Sequence, residues 1–225
     1  MILKKRGEPL KLFALESLHR RLPPRHHMKE KVFSELRKEK TGLKGEKEVD
    51  FALRFLNQRH YFILHNIRLK DEFGAFQLDT LILSNRFLLI LEVKNWYGTV
   101  IFGENGQVTR VGDDGVEEGF SNPVAQAQLQ QHRFMQWLQA RGIPNITLHF
   151  LVVISFPSTS IKSHSLEYPL PKPVIHTNQI LFRIQDIEKV YRQDLFTQNQ
   201  LLKLSKHIIE AHKDTMLNVL DAYNV

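Results

Sequence analysis

The chain has 225 residues, 42% of them hydrophobic and 24% charged, which suits one globular domain with an appendage and excludes a repeat array or wholesale disorder. There is no cysteine, so disulfide scaffolds, thiolate zinc sites and cysteine nucleophiles are excluded, and apolar runs such as Phe87 to Leu91 fall far short of the roughly 18 residues of a bilayer span. With no signal peptide legible after Lys4-Lys5-Arg6, the expected location is cytoplasmic. The net charge of +7 is uneven: residues 1–47 hold 14 Lys or Arg against 6 Asp or Glu, and the rest is close to neutral.

Leu10, Phe13, Ala14, Leu15 and Leu18 recur at helical spacing before Pro23-Pro24 ends the segment. A charged helix is expected from His26 to Lys40, anchored by Met28, Val32, Phe33 and Leu36. Residues 1–41 thus read as a basic helical arm, either a phosphate-contacting surface or a solvated face whose Glu30, Glu35 and Glu39 partly compensate its cations. The two glycines of Thr41 to Gly45 suggest an entrance loop to the main domain, 42–225, followed by a helix with Val49, Ala52, Leu53 and Leu56 inward.

The period then changes. Tyr61 to Leu69, Gln77 to Leu83 and Phe87 to Val93 read as strands, the last two a hairpin, with a fourth at Thr99 to Phe102. The glycine-rich stretch 103–119 suggests a loop or small hairpin. Asn122 as N-cap and Pro123 at the first helical position open a helix to about Ala140. Thr147 to Ile154 has the continuous apolar character of a strand covered on both faces, and 155–173, with four prolines, reads as an irregular crossing. A short strand at Val174 to Thr177, mixed elements and a helical C-terminal segment from Asn199 to about Val219 complete an α/β domain with a mixed central sheet flanked by helices.

Strand alternation puts Gln77 and Asp79 on one face, and Glu92 and Lys94 together on one face of the next strand. Their neighbours, Leu81-Ile82-Leu83 and Phe87 to Leu91, imply a sheet buried on both sides, where an unpaired charge is heavily penalised. If Asp79 lies beside Glu92, two carboxylates meet, and a divalent cation is the simplest way to keep both ionised. Oxygen ligands with a nearby lysine suit magnesium acting on a phosphate.

An acid followed by acid-x-lysine on adjacent strands resembles the PD-(D/E)xK nuclease superfamily. More closely, Gly42-x-x-Gly45-Glu46, Gln77-Leu78-Asp79, Glu92-Val93-Lys94-Asn95 with Gly98, and Asn122-Pro123-x-x-Gln126 resemble the nuclease-related domain family over about 42–141. Leu78 stands where the superfamily's name has proline. The resemblance implies a restriction-endonuclease-like core and a metal-dependent nuclease using activated water. Its implied metal ligands are Asp79, Glu92 and the Val93 carbonyl, with Glu46 joining directly or through water. Lys94 would orient the water and stabilise phosphate charge, Gln126 would bond the site or the substrate, and Gln77 is a weaker candidate.

Each residue has a plainer reading. Asp79 and Lys94 also read as a buried ion pair, Glu46 as a helix N-terminal acid, Gln126 as an exposed glutamine, and Asn95-Trp96-Tyr97-Gly98 as a core aromatic and a turn rather than a base-stacking element. The expected function is phosphodiester hydrolysis of nucleic acid, DNA first, with magnesium, or manganese in its place. The expected partners are nucleic acid and a second copy of the chain, with no membrane. The alternative is a non-catalytic nucleic-acid or protein-interaction module that keeps the fold.

Overall fold

The structure, a computed structural model, describes residues 1–57, 59–104, 106–143, 146–214 and 219–223. A six-stranded mixed sheet forms its centre, ordered β1 (Ile2–Lys4), β2 (Tyr61–Asp71), β3 (Gly74–Ser84), β4 (Leu88–Lys94), β8 (Leu148–Ile154) and β10 (Val174–His176). The pairs β2–β3 and β3–β4 are antiparallel, and β1–β2, β4–β8 and β8–β10 are parallel. The strands β5 (Thr99–Phe102), β6 (Val108–Val111), β7 (Glu117–Phe120) and β9 (Ser160–Ser163) make a second, smaller sheet. The fourth expected strand therefore belongs to a separate layer, and the glycine-rich excursion is its β6–β7 hairpin.

The helices are α1 (Leu10–Arg21), α2 (Lys29–Leu53), α3 (Pro123–Gln139), α4 (Ile180–Val190), α5 (Gln198–Ala211) and α6 (Val219–Tyr223). Leu81, Leu83, Leu88 and Ile90 pack against Phe134, Trp137 and Leu138 of α3 and Leu201, Leu204 and Ile208 of α5. On the other face Ile82, Leu89, Leu91 and Val93 meet Val49 and Leu53 of α2 and Ile180 and Ile184 of α4. A sheet covered on both faces explains the nearly unbroken apolar runs of β3, β4 and β8. Among the described residues no helix is long and apolar enough to cross a membrane.

Three expectations are corrected. The entrance loop at Thr41 to Gly45 is the middle of α2, one continuous 25-residue helix. Its N-terminal half buries Val32, Leu36 and Leu43 against Leu12, Leu15 and Leu18 of α1, while its C-terminal half rests on the sheet. Packing at both ends outweighs the roughly 1 kcal/mol that a helical glycine costs. Gly45 is required by proximity rather than by a turn: a Cβ there would lie 2.3 Å from Ser155 Oγ and 2.5 Å from Asn95 Cβ.

The basic arm is not an appendage, since β1 is an edge strand of the central sheet and the boundary expected at 41/42 falls inside a helix. The closing helix α5 ends at Ala211, where His212 turns to extended backbone at ψ 136°, and its expected continuation through 215–218 lies outside the described residues. Helix α4, carried by Ile180, Ile184 and Ile187, stands where the sequence suggested only mixed elements.

Candidate active site

The register that pairs Thr80 with Leu91 and Leu81 with Ile90, continued by one residue, sets Asp79 opposite Glu92. The ladder stops there because the Asp79 side chain takes the place of a backbone acceptor: the Val93 N–H donates to Asp79 Oδ2 at 3.0 Å. Gln77, next but one along the strand, favours the ionised form of the Asp79 carboxylate. The acid, the second acid and the peptide between Glu92 and Lys94 are thus fixed by strand geometry.

The start of α3 covers this end of the sheet. Asn122 accepts from the Val124 N–H at 2.9 Å and Pro123 occupies the first turn, as the sequence signals. One helical turn apart, Gln126 and Gln130 then face the end of β4. Lys94 Nζ donates to Glu92 Oε1 at 2.7 Å and to Gln126 Oε1 at 3.0 Å, and Gln130 Nε2 donates to Glu92 Oε2 at 2.9 Å. Lys94 therefore pairs with Glu92 rather than Asp79.

Glu92 is only 1% exposed, and burial, reinforced by the nearby Asp79 charge, pushes its carboxyl up to about 7 against the pull of Lys94. Burial raises the Asp79 carboxyl too, opposed by the Val93 N–H and the Lys94 and Arg6 charges. Both acids are thus harder to ionise than usual.

Glu46 belongs to a second cluster, centred on Arg6, whose side chain is 3% exposed. Arg6 reaches Glu46 Oε2 at 2.5 Å, Asp50 through Nε at 2.9 Å and Nη2 at 3.0 Å, Asn66 Oδ1 at 2.6 Å and Thr80 Oγ1 at 2.9 Å. It also donates to the Asp79 carbonyl at 3.2 Å, which ties this cluster to the backbone of the first site. His65 lies against Asp50 at 3.3 Å and is held neutral by burial, its pKa lowered to about 4. Burial brings the Glu46 carboxyl up to about 7, with Arg6 opposing and Asp79 and Asp50 adding to the rise.

Among the described residues no three Asp, Glu, His or Cys side chains gather about one point in the manner of a metal cage. The set of Glu46, Asp79 and Glu92 is accordingly not assembled, because Glu46 is turned to Arg6. What remains is the adjacent pair Asp79 and Glu92, two oxygen donors of raised proton affinity in a recess with too little positive charge. That donor chemistry fits magnesium, which takes one or two carboxylates and completes its shell with water and phosphate oxygens.

Arg6 and Gln130 were not among the expected site residues. Gln130 had a legible signal, its four-residue spacing from Gln126. Arg6 had none, since its side-chain partners lie 40 to 74 residues away along the chain. Of the loop aromatics, Trp96 packs 5.0 Å from Phe120 beside the small-sheet core, while Tyr97 is 42% exposed. The turn that follows needs Gly98, at φ +82°, where a Cβ would sit 2.3 Å from the Val111 carbonyl oxygen.

An uncharacterized protein of Bacillus anthracis is 27% identical to the chain over 108 residues, 48% of this chain and 50% of that protein. The chain therefore spans about half the length of this curated relative, and no solved structure matches it. The nuclease-related domain matches residues 41–155, a stretch that begins inside α2, ends just after β8 and contains Asp79, Glu92, Lys94 and Gln126. With just over half its length in that match, the chain belongs to the nuclease-related domain family.

Proposed function

We propose that the chain is a divalent-metal-dependent nuclease that hydrolyses phosphodiester bonds of nucleic acid, DNA first. The observation that carries this reading is the pairing of Asp79 with Glu92 at the end of β3 and β4, with Lys94 Nζ 2.7 Å from Glu92. Such a recess is costly to maintain for stability alone.

Asp79 and Glu92 would hold magnesium, which when bound supplies a Lewis acid for a phosphate oxygen and lowers the pKa of water. The residues of the chain do the rest. Lys94 places a positive charge where a phosphate gains charge during attack, Gln126 fixes the ammonium by accepting from it, and Gln130 orients Glu92. Arg6, itself held by Glu46, donates to the Asp79 carbonyl from behind. Incubation of the purified chain with labelled linear, circular and single-stranded DNA and with RNA, in magnesium, in manganese and in chelator, tests the proposal. Metal-dependent cleavage that disappears in Asp79→Asn is expected, and cleavage unaffected by that substitution overturns it.

One observation favours a non-catalytic module: both Glu92 oxygens already have partners, Lys94 and Gln130. The same experiment decides, because that reading requires nucleic-acid binding with no cleavage in either metal.

A further inference from the structure

A groove of about 690 Å³ runs between α2 and the small sheet and opens onto Val93 and Lys94. One wall is the stripe of α2 on which Phe33, Arg37 and Thr41 follow one another at intervals of four. The other wall is Tyr97, Arg110 and Phe120. Four cations line it, Arg37, Lys38, Lys94 and Arg110, against the two acids Glu30 and Glu118. Lys38 is paired with Glu35 at 3.0 Å, an exposed pair that exchanges cheaply for phosphate, while Arg110, its side chain 15% exposed, is paired with the exposed Glu118.

The aromatics are arranged alike on both walls. Phe33 is 41% exposed and Tyr97 42%. The Arg37 guanidinium lies 5.9 Å from the Phe33 ring, and that of Arg110 lies 4.3 Å from the Tyr97 ring. Each wall thus carries a ring with a guanidinium over one face, and Phe33 also has His19 stacked at 5.1 Å, so a base would stack on the planar cation or displace it. Proteins that hold unpaired nucleic acid use this combination: the positive groove follows the backbone, and the rings stack on bases. A duplex keeps its base faces stacked internally and would leave both rings unused. The depth of the site points the same way, because Glu92 is nearly inaccessible and a phosphodiester has to enter the recess to meet it.

We propose that this groove binds an unpaired nucleic-acid strand and leads it across Lys94. The proposal depends on the nuclease reading for what happens at Lys94, and not for the binding. The test is fluorescence anisotropy of the full chain in chelator, with labelled oligothymidine, labelled oligouridine and a blunt duplex of equal length. Oligothymidine and oligouridine distinguish DNA from RNA as the source of the strand, and tight binding of either supports the groove.

Tyr97→Ala and Phe33→Ala should each weaken strand binding by roughly tenfold, the scale of one lost base stack, and Tyr97→Phe should restore it. Arg37→Ala should reduce the slope of log affinity against log salt by about one. Lys189→Ala, an equal charge change at an exposed position of α4, should leave binding unchanged. Equal affinity for the duplex, unchanged binding by Tyr97→Ala, or displacement of the strand by polyglutamate as readily as by unlabelled oligonucleotide would overturn the proposal. Strand binding without cleavage in magnesium or manganese leaves the groove standing and removes the nuclease. Cleavage unaffected by the ring substitutions does the reverse.

Discussion

On the α2 face of the central sheet, Glu46 and Asp50 are met by one guanidinium whose donors are shared among five side chains and a carbonyl. On the α3 face, Asp79 and Glu92 are met by one ammonium that bonds only Glu92, while Asp79 relies on a backbone N–H and Gln77. The first cluster is a dense network, with a fork-shaped cation fitted to its acids. The second is under-neutralised and lies beside an open groove. Two clusters of similar composition at one end of one sheet thus divide the tasks, the first holding strands together and the second leaving charge to be met by something else.

That contrast breaks most visibly at Arg6. Arg6→Ala leaves the half-buried Glu46 and Asp50 without their cation and should cost about 3 kcal/mol in urea unfolding, with Arg6→Lys recovering only part. Deletion of residues 1–7 should be at least as damaging, because it also removes β1 from the sheet. A truncated chain as stable as the full one would show that the N-terminal segment is an appendage after all.

Lys94→Ala should behave differently, costing about 1–3 kcal/mol because the buried Glu92 loses its ammonium, less than Arg6→Ala, but slowing cleavage by about a hundredfold, a typical loss for a positioned charge stabiliser. Rescue by arginine should be poor. A variant that melts several degrees lower and cleaves normally would place Lys94 with Arg6 as a structural cation.

The third test is pH. The folded-state pKa of Glu92 is raised from 4.5 to about 7, so between those values the folded chain binds more protons than the unfolded one. Stability should therefore fall as pH rises through this window. The buried, neutral His65 acts oppositely over part of the range, so the informative quantity is the difference between the wild type and Glu92→Gln in chelator. The variant should become the more stable of the two above pH 7, by about 1–3 kcal/mol. Magnesium should narrow the gap by stabilising only the wild type. A gap independent of pH would mean that Glu92 is ionised at no cost.

The smallest effect is expected at Gln130. Gln130→Ala removes one hydrogen bond to the buried carboxylate and should cost about 1–2 kcal/mol in chelator. Thermal melts of this variant in the Glu92→Gln background should show the cost largely gone, since the charge it serves is absent.

What was legible in the sequence follows from how far each signal reaches along the chain. The β3–β4 pairing was visible because strand alternation and a short turn fix which residues oppose each other, and the start of α3 was visible because Asn122 and Pro123 carry their own capping chemistry. The break predicted at Gly42 and Gly45 was wrong because glycine reports two different things, backbone freedom and lack of a side chain, and at Gly45 the contact with Asn95 and Ser155 required the second, while nothing lies within 4 Å of a Cβ at Gly42. The Arg6 cluster was illegible because it is assembled from β1, α2, β2 and β3 by topology alone. The surplus of N-terminal cations is partly absorbed by the fold for the same reason: Arg6 is spent inside it, and Lys11 and Lys40 pair with Glu39 and Glu16 across the α1–α2 contact.

The central sheet ends at both edges in strands of only three residues, β1 and β10. Strands that short present few unpaired backbone groups of their own, so β1 and β10 are poorly suited to templating a strand of a neighbouring chain. Contact between two copies would accordingly run through side-chain surfaces, whose composition mutation can tune one residue at a time, rather than through the backbone, which every sequence shares.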